Sequence, residues 1–382
     1  MKMKTPISFL GGLTAEQFLS EYWQKKPLLV RGAFPDVGPH ADLAVLSALA
    51  QRDDVESRLI ESRAGRWFVE SGPLRPSRLA RLPESDWTLL VQNVNHHLPH
   101  IADLLWQFDF LPYARIDDLM ISYAPPGGTV GPHFDSYDVF LLQVGGRKRW
   151  QIGSPDNQRL QEGAPIKVLD SFTALDTWEL AHGDMLYLPP KLSHYGVALD
   201  AGMTYSVGFR APTVQEMATQ FLVHLQDSIC LDGMYADPGL RPVDAPARIG
   251  DDMVEQVAAM LERIHWDRDT VADFLGRYLS EPKPHVFYEG PDAELDFDAF
   301  ADAVVEQGVR LDLKSQILFT DDAVYANGER LETGAEDAAR WQQFGNARHL
   351  AGAAVSDGML DALYEGYEAG YWQLGESRPA AD

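Results

Sequence analysis

Two histidines and one aspartate are the residues whose types and spacing point most clearly to chemistry. His133 and Asp135 are two positions apart, and in an extended segment residues i and i+2 point to the same side. An imidazole and a carboxylate at this spacing can bind one metal ion. His194 follows a strand-like segment that ends in Pro189-Pro190, and it is the candidate third ligand. Two histidines and a carboxylate leave coordination positions open and are typical of non-haem Fe(II) oxygenases.

A His-x-Asp pair is a weak signal by itself. The chain contains three others, which are His40 with Asp42, His182 with Asp184, and His265 with Asp267. We interpret these as residues of a helix start, a tight turn and a helix cap. Only the pair at 133 and 135 lies beside a segment rich in glycine and proline and precedes a long apolar strand. This context favours a metal site at a strand edge.

Other kinds of active site have less support. A rival cluster of His96, His97 and His100 has no carboxylate at a useful spacing. We expect it in a proline-containing loop without a metal role. The sequence contains neither the Gly-x-Ser-x-Gly motif of serine hydrolases nor a phosphate-binding P-loop.

A basic triplet, Arg147-Lys148-Arg149, follows Asp135 by 12 to 14 residues. The open positions of a two-histidine, one-carboxylate site can hold a bidentate 2-oxo acid and O2. The distal carboxylate of such a co-substrate needs a cation, and Lys148 is our candidate. Spacing alone does not determine which of the three residues points inward, and a solvated hairpin is the alternative.

The elements that must position these residues are short strands. Runs typical of strands, separated by Gly, Pro and Asp turns, lie at 119–123, 139–144, 149–152, 185–188 and 204–209. Strands at this spacing predict an antiparallel sandwich or barrel. Residues 1 to about 110 mix helices with short strands, so we expect an α+β protein.

Two further regions follow the strands. Segments at 217–229, 253–265 and 270–279 carry apolar residues at helical spacing, and they need either a homodimer interface or neighbouring domains to cover them. After the proline-rich segment 281–284, a helix, a hairpin at Asn327-Gly328 and another helix around 351–371 are typical of a winged helix. Residues 291–382 contain 19 acidic and 6 basic residues, which argues against DNA binding.

Composition limits the partners. The 382 residues include 32 Lys and Arg against 57 Asp and Glu, a formal charge of −25, which favours a basic protein partner over nucleic acid. Cys230 is the one cysteine, so the chain can form no internal disulfide. No run of 18 apolar residues occurs. We therefore expect a soluble cytoplasmic protein that binds neither DNA nor a membrane.

Several separated motifs carry a resemblance to a known family. They are Tyr22–Ala33, Gly131–Phe140, Gly146–Trp150, Gly183–His194 and Tyr205–Pro212. Together and in this order they resemble the bacterial ribosomal oxygenases, which belong to the JmjC/cupin-like 2-oxoglutarate oxygenases. The match runs from about residue 7 to residue 212, and the order of the later regions also fits.

The resemblance implies a double-stranded β-helix, or jelly-roll, JmjC domain over residues 1–212, with its catalytic core at about 95–212. It also implies a helical dimerisation region at 213–279 and a winged-helix-like domain at 280–382. In this reading His133, Asp135 and His194 hold Fe(II), with 2-oxoglutarate and O2 as co-substrates. A basic residue at the position of Lys148 binds the 2-oxoglutarate C5 carboxylate, and Ser122 lines the same pocket.

The family activity that this sequence most resembles is hydroxylation of the β-carbon (C3) of an arginine in large-subunit ribosomal protein sixteen. A guanidinium substrate requires a carboxylate and an aromatic wall, for which we predict Asp118 and Tyr137, with Met120 as apolar lining. Asp118 could instead belong to a plain turn. The alternative functions are a histidine hydroxylase or an N-methyl demethylase of the same JmjC class, or a non-redox cupin.

Overall fold

The strands predicted in the middle of the chain are present, and the N-terminal region adds others to them. The structure is a computed structural model that describes residues 4–38, 40–63, 65–156, 158–292 and 294–375. Up to residue 212 its strands are β1 (Leu28–Val30), β2 (Ser57–Arg63), β3 (Arg66–Ser71), β4 (Trp87–Val91), β5 (Ile116–Ala124), β6 (Asp138–Val144), β7 (Lys148–Ile152), β8 (Asp176–Leu180), β9 (Met185–Leu188), β10 (His194–Ala198) and β11 (Gly202–Phe209).

These strands form two antiparallel sheets that enclose a common interior. One has eight strands in the order β1-β9-β6-β11-β5-β4-β2-β3, and the other has three in the order β10-β7-β8. Leu141 of β6, Trp150 of β7 and Leu186 of β9 belong to one buried cluster between the sheets. Two sheets arranged in this way form a jelly roll, so the predicted double-stranded β-helix is confirmed.

Strand β6 explains why the sequence around it is so apolar. All of its residues are buried, because both faces of the large sheet are covered. Leu141 faces the interior, whereas Phe140 packs outward in a larger apolar cluster. Phe18 from the N-terminal region contacts both Phe140 and Tyr187 there. The N-terminal residues therefore pack against the outer face of the eight-stranded sheet. The inner face of the same sheet carries the residues that point into the jelly roll.

The helices before the proline-rich segment include the three predicted between residues 217 and 279, with somewhat different bounds. They are α1 (Ala15–Glu21), α2 (Leu43–Leu49), α3 (Pro76–Leu79), α4 (Pro99–Leu105), α5 (Val214–Ser228), α6 (Asp251–Leu261) and α7 (Arg268–Ser280). Capping boxes form at Thr14 and Thr213, at the starts of α1 and α5. Helix α6 contains no buried residue, although Met253, Val254 and Val257 lie along one of its faces. Within the described ranges, no helix is long and apolar enough to cross a membrane.

The C-terminal region has an apolar core of its own, which includes Phe300, Trp341 and Trp372. Its elements are α8 (Phe297–Gln307), β12 (Val309–Leu311), β13 (Ile317–Phe319), β14 (Val324–Ala326), β15 (Glu329–Leu331), α9 (Ala338–Ala347), β16 (His349–Leu350), α10 (Asp357–Glu368) and β17 (Trp372–Leu374). The predicted hairpin turn is present, with positive φ at Asn327 and Gly328. The helix expected around 351–371 is shorter, because Ser356 caps it at its start, and α9 was not predicted.

The C-terminal region packs against the jelly roll through several contacts, two of which lie near the start of β5. The Gln316 side chain donates a hydrogen bond to the Tyr113 carbonyl, at 3.0 Å. The Arg348 guanidinium lies over the Trp106 ring, 4.0 Å from its centroid. These contacts hold the residues that precede β5 against the C-terminal region.

Candidate active site

The two predicted histidine ligands are adjacent in space although they lie 61 positions apart in the chain. The His133 amide donates to the His194 carbonyl at 2.9 Å, and the His194 amide donates to the His133 carbonyl at 2.7 Å. Their ring centroids are 4.2 Å apart. This antiparallel pair joins the segment before β6 to the first residue of β10, so the backbone itself brings the two imidazoles together.

Asp135 is the third residue of the cluster that His133 and His194 form. Its carbonyl accepts a hydrogen bond from the Lys191 amide at 2.6 Å, and its Oδ2 lies 3.6 Å from Nε2 of His194. One ligand atom from each of His133, Asp135 and His194 lies within 4.8 Å of the other two. In the described part of the chain, this is the one group of three or more His, Cys, Asp or Glu residues with that geometry.

The hydrogen bonds of both histidines suit metal binding. Nδ1 of His133 lies 2.9 Å from the Gly131 carbonyl, and Nδ1 of His194 lies 2.9 Å from the Leu192 carbonyl. A proton on each Nδ1 leaves Nε2 with a free lone pair, which is the usual arrangement around a metal-bound imidazole. Burial, together with the nearby His133, lowers the pKa of His194 to about 4. His194 is therefore neutral at physiological pH, as a ligand must be.

Gly131 shapes the loop that carries the first histidine. Its φ is +82°, and a Cβ atom at this position would lie 2.8 Å from the Trp67 ring and 2.9 Å from a methyl of Val168. Both the backbone conformation and the available space therefore require glycine. The glycine- and proline-rich segment in the sequence reflects this close approach beside the histidines.

Of the basic triplet, only Lys148 points into the jelly roll. Lys148 is 8% exposed, and its Nζ donates to the Thr204 hydroxyl at 3.0 Å. Arg147 pairs with Asp200 and Arg149 pairs with Glu179, all on the surface. Burial lowers the pKa of Lys148 to about 8. A buried ammonium group without a carboxylate partner among the described residues is well suited to bind an anion.

Two polar residues near the Lys148 ammonium, Thr204 and Gln143, were not predicted from the sequence. Thr204 of β11 is paired in register with Ser122 of β5 on one side and with Gln143 of β6 on the other. All three side chains are buried. Thr204, Ser206 and Gly208 alternate with larger apolar residues along β11, and this period of two is the signal that could have revealed the inward face of the strand.

The predicted substrate residues lie along one inward-facing edge. Alternation along β5 places Asp118, Met120 and Ser122 on the same face of the strand. Asp118 Oδ1 and the Tyr137 ring lie 3.5 and 3.8 Å from the position that a Cβ of Gly208 would occupy, so they are close neighbours. Tyr137 is 37% exposed and lines an open cleft of about 530 Å³.

Charge and burial affect both members of this pair. Burial raises the pKa of Asp118 to about 6, although its Oδ2 accepts a hydrogen bond from the Asn93 amide at 3.0 Å. Asp118 is therefore mostly ionised at pH 7. Desolvation and the negative charge of Asp135 raise the pKa of Tyr137 above its ordinary value, so this side chain is a neutral phenol.

Of the three rival histidines only His97 lies in a loop, so the loop prediction is wrong for His96 and His100. His96 ends a short 3-10 helix, Val94–His96, and His100 belongs to α4. Burial and the positive charge of Lys283 lower the pKa of His96 to about 3. This histidine is a neutral residue packed among cations.

Comparison with known proteins agrees with this fold and site. Residues 103–217 match the JmjC domain family, and residues 263–373 match the ROXA-like winged helix family. The chain is 33% identical to the ribosomal protein uL16 3-hydroxylase of Escherichia coli over 362 residues, which cover 93% of this chain and 96% of that protein. It is also 33% identical to a probable ribosomal oxygenase of Haemophilus influenzae, over 84% of this chain and 82% of that protein.

Solved structures give the same result. The X-ray structure of E. coli YcfD superimposes with a TM-score of 0.84 and 31% identity, over 95% of this chain and 98% of that one. The E. coli ribosomal oxygenase YcfD in complex with cobalt and 2-oxoglutarate superimposes with a TM-score of 0.81 and 32% identity, with the same coverage.

The fold and the site together define a JmjC-domain oxygenase. Within this class, the chain is 33% identical to the uL16 3-hydroxylase over nearly the whole of both chains. The chain belongs to the ribosomal oxygenases, which confirms the family, the fold class and the enzyme class predicted from the sequence.

Proposed function

We propose that this protein uses Fe(II), 2-oxoglutarate and O2 to hydroxylate C3 of an arginine in the large-subunit ribosomal protein uL16. One observation carries the proposal: two histidines and an aspartate meet at the mouth of a jelly roll whose interior holds the buried cation Lys148. The relative that is 33% identical over 93% of this chain is a uL16 3-hydroxylase. A related structure binds cobalt together with 2-oxoglutarate.

His133, Asp135 and His194 are the proposed Fe(II) ligands. They fit this role because their ligand atoms converge within 4.8 Å and because both Nδ1 atoms are already engaged by backbone carbonyls. Bound Fe(II) would supply the activation of O2 that this class of hydroxylation requires. The three residues leave open coordination positions for the two co-substrates.

Lys148 is the proposed partner of the 2-oxoglutarate C5 carboxylate. Its ammonium already donates to Thr204, and Ser122 lies opposite Thr204 in the sheet register. A carboxylate in this position would accept hydrogen bonds from a charged donor in a region of low dielectric, where such pairs are strong. Lys148 and the two hydroxyls would thus orient the co-substrate from its distal end.

Asp118, Tyr137 and Met120 are the proposed substrate residues. The free oxygen of the Asp118 carboxylate would accept from the guanidinium, and the Tyr137 ring would form a wall beside it. Met120, half-buried on the same strand, would line the path of the aliphatic chain. Binding the guanidinium at a fixed distance from the metal ligands orients the β-carbon of the arginine for reaction.

Mass spectrometry of uL16 is the direct test of this function. Incubation with the enzyme, Fe(II), 2-oxoglutarate and air should add one oxygen to one arginine, and fragmentation should locate it at C3. At uL16 concentrations well below KM, the Asp118→Asn variant should hydroxylate uL16 about a hundredfold more slowly than wild type. The reason is that loss of a desolvated charge pair costs about 2–5 kcal/mol.

The same experiment distinguishes the alternatives. An added oxygen on a histidine would indicate a histidine hydroxylase, and formaldehyde release with loss of a methyl group would indicate a demethylase. Unmodified ribosomal proteins and no 2-oxoglutarate binding would leave a non-redox cupin. Each of these results would contradict the arginine assignment.

We also propose that the protein is a homodimer formed through the region 213–279, in a chain divided into domains at 1–212, 213–279 and 280–382. Helix α6 supports this proposal, because Val254 is 55% exposed and Leu261 is 59% exposed on a helix that has no buried residue. Leu222 of α5 is exposed as well. Exposed apolar side chains clustered on one helix face usually mark an interface.

Val257→Glu should convert the dimer to a monomer, because it places a charge at the centre of the apolar face of α6. Light scattering coupled to gel filtration would measure the mass. Glu255→Lys, on the opposite face of the same helix, is the matched control and should leave the dimer intact. Identical masses for wild type and Val257→Glu would place the interface elsewhere.

We expect the protein to act in the cytoplasm, because it would encounter uL16 there either free or bound to the ribosome. The formal charge of −25 would favour encounter with a basic ribosomal protein over binding to DNA or to an anionic membrane.

A further inference from the structure

Lys283, a lysine of the proline-rich segment within the winged-helix region, reaches the start of β5. Lys283 lies between Pro282 and Pro284, and prolines on both sides restrict the backbone around it. Its Nζ is 2.9 Å from Asp117 Oδ1 and donates to Asn93 Oδ1 at 3.0 Å. The ammonium is therefore held between two side chains of the jelly-roll domain.

Asn93 connects Lys283 to the proposed substrate carboxylate. Its φ is +51°, a left-handed conformation that asparagine tolerates at some cost in free energy. In this conformation its amide donates to Asp118 Oδ2 at 3.0 Å. The Asn93 side chain is buried and also lies 3.4 Å from the ring of His285. Contacts from the C-terminal side of the chain thus fix the residue that holds Asp118.

The two neighbouring carboxylates have different partners. Asp117 is held by Lys283 and, at 3.7 Å, by Arg210. Asp118 has one oxygen on the Asn93 amide, and its other oxygen lies beside Gly208, as the Tyr137 ring does. Of the charges around Asp118, Lys283 has the largest effect on its pKa and lowers it, whereas Asp117 and Glu56 raise it.

We propose that Lys283 is a positioning residue for substrate binding, which acts through Asn93 to hold Asp118 and which neutralises Asp117. The inference rests on the proposed function, in which Asp118 receives the arginine guanidinium. A residue outside the jelly roll then completes the substrate site, and the acidic pair presents one oriented carboxylate instead of two mutually repelling ones.

The test is steady-state kinetics of the full-length enzyme with purified uL16. Lys283→Met should raise the KM for uL16 about tenfold, because a charged hydrogen bond that fixes the carboxylate is lost. The Kd for 2-oxoglutarate and the slow 2-oxoglutarate turnover without uL16 should stay within about twofold, since Lys283 touches neither Lys148 nor the metal ligands. Lys283→Arg keeps the charge and should restore most of the lost affinity.

Two further variants separate positioning from a purely structural role. Lys314→Met removes a lysine of the same region that donates to the Phe287 carbonyl, and its KM for uL16 should equal that of wild type. Asn93→Gly keeps the left-handed backbone but removes the acceptor. It should raise KM, though less than Lys283→Met does, because Asp117 keeps its partner. The double variant should show no effect beyond that of Lys283→Met, because the two residues act in one chain of contacts.

The failures of the two proposals are distinguishable. An unchanged KM in Lys283→Met, or an equal rise in Lys314→Met, would overturn the role of Lys283 while wild type still hydroxylates uL16. If wild type hydroxylates no arginine of uL16, the proposed function is refuted and the inference falls with it.

Discussion

His133→Ala is expected to lower the hydroxylation rate about a thousandfold, because a metal site that loses a ligand forfeits several kcal/mol of stabilisation. The backbone pairing with His194 does not involve the imidazole, so the variant should fold. Metal content after incubation with Fe(II) or Mn(II) and removal of the excess should fall in parallel. Both quantities can be measured on one preparation, by mass spectrometry of the product and by elemental analysis of the protein.

His182→Ala is the matched control for this prediction. His182 belongs to another His-x-Asp pair, but its Nδ1 accepts a hydrogen bond from the Gly145 amide in a surface turn. We expect wild-type rate and metal content. A His133→Ala enzyme that retains its metal and its turnover would show that the ion lies elsewhere, and the oxygenase mechanism assigned to this site would be wrong.

Lys148→Met is expected to raise the Kd for 2-oxoglutarate about a hundredfold, because the dicarboxylate would lose a desolvated charge partner worth about 2–5 kcal/mol. Calorimetry with Mn(II) in place of Fe(II) measures this without turnover. Arg149→Met is the control, since Arg149 is the next residue on β7 and pairs with Glu179 at the surface. Equal affinities in all three proteins would exclude Lys148 from the co-substrate pocket.

The affinity for 2-oxoglutarate should also depend on pH, and the sign follows from the buried ammonium. Burial lowers the pKa of Lys148 to about 8. Below this pH the lysine is charged and ready to bind the carboxylate. Above it, binding must also take up a proton, so the Kd should rise by up to about tenfold per pH unit. Lys148→Met should show a flat profile over the same range.

The metal site was accessible to sequence reasoning because its first half is local. The i, i+2 spacing of His133 and Asp135 fixes their common direction as soon as the segment is extended. His194 could be recognised as a candidate from the strand and the Pro-Pro turn before it. The backbone pairing of His133 with His194 could not be predicted, because register between distant strands depends on the whole sheet.

Residues that act through long-range contacts could not be identified from the sequence alone. The inward direction of Lys148 follows from alternation only after the register of β7 with β10 is known. Nothing in the local sequence distinguishes Thr204 from other threonines, because its position beside Lys148 depends on the sheet register. Asn93 and Lys283 are 190 positions apart, and no local pattern joins them. The missed helix α9 has the same cause, since it is stabilised chiefly by burial of Trp341 and Phe344 in the C-terminal core.

The stacking of Arg348 on Trp106 limits how the chain can vary during evolution. This contact and the hydrogen bond from Gln316 to Tyr113 fix the C-terminal region against the jelly roll. The segment between α7 and α8 is held against the same domain by Lys283. An insertion there would bulge outward, and a deletion would pull one contact apart, because the reach of a peptide is fixed. Homologues should therefore differ in length at 231–250, an exposed stretch between α5 and α6 where extra residues disturb no packing.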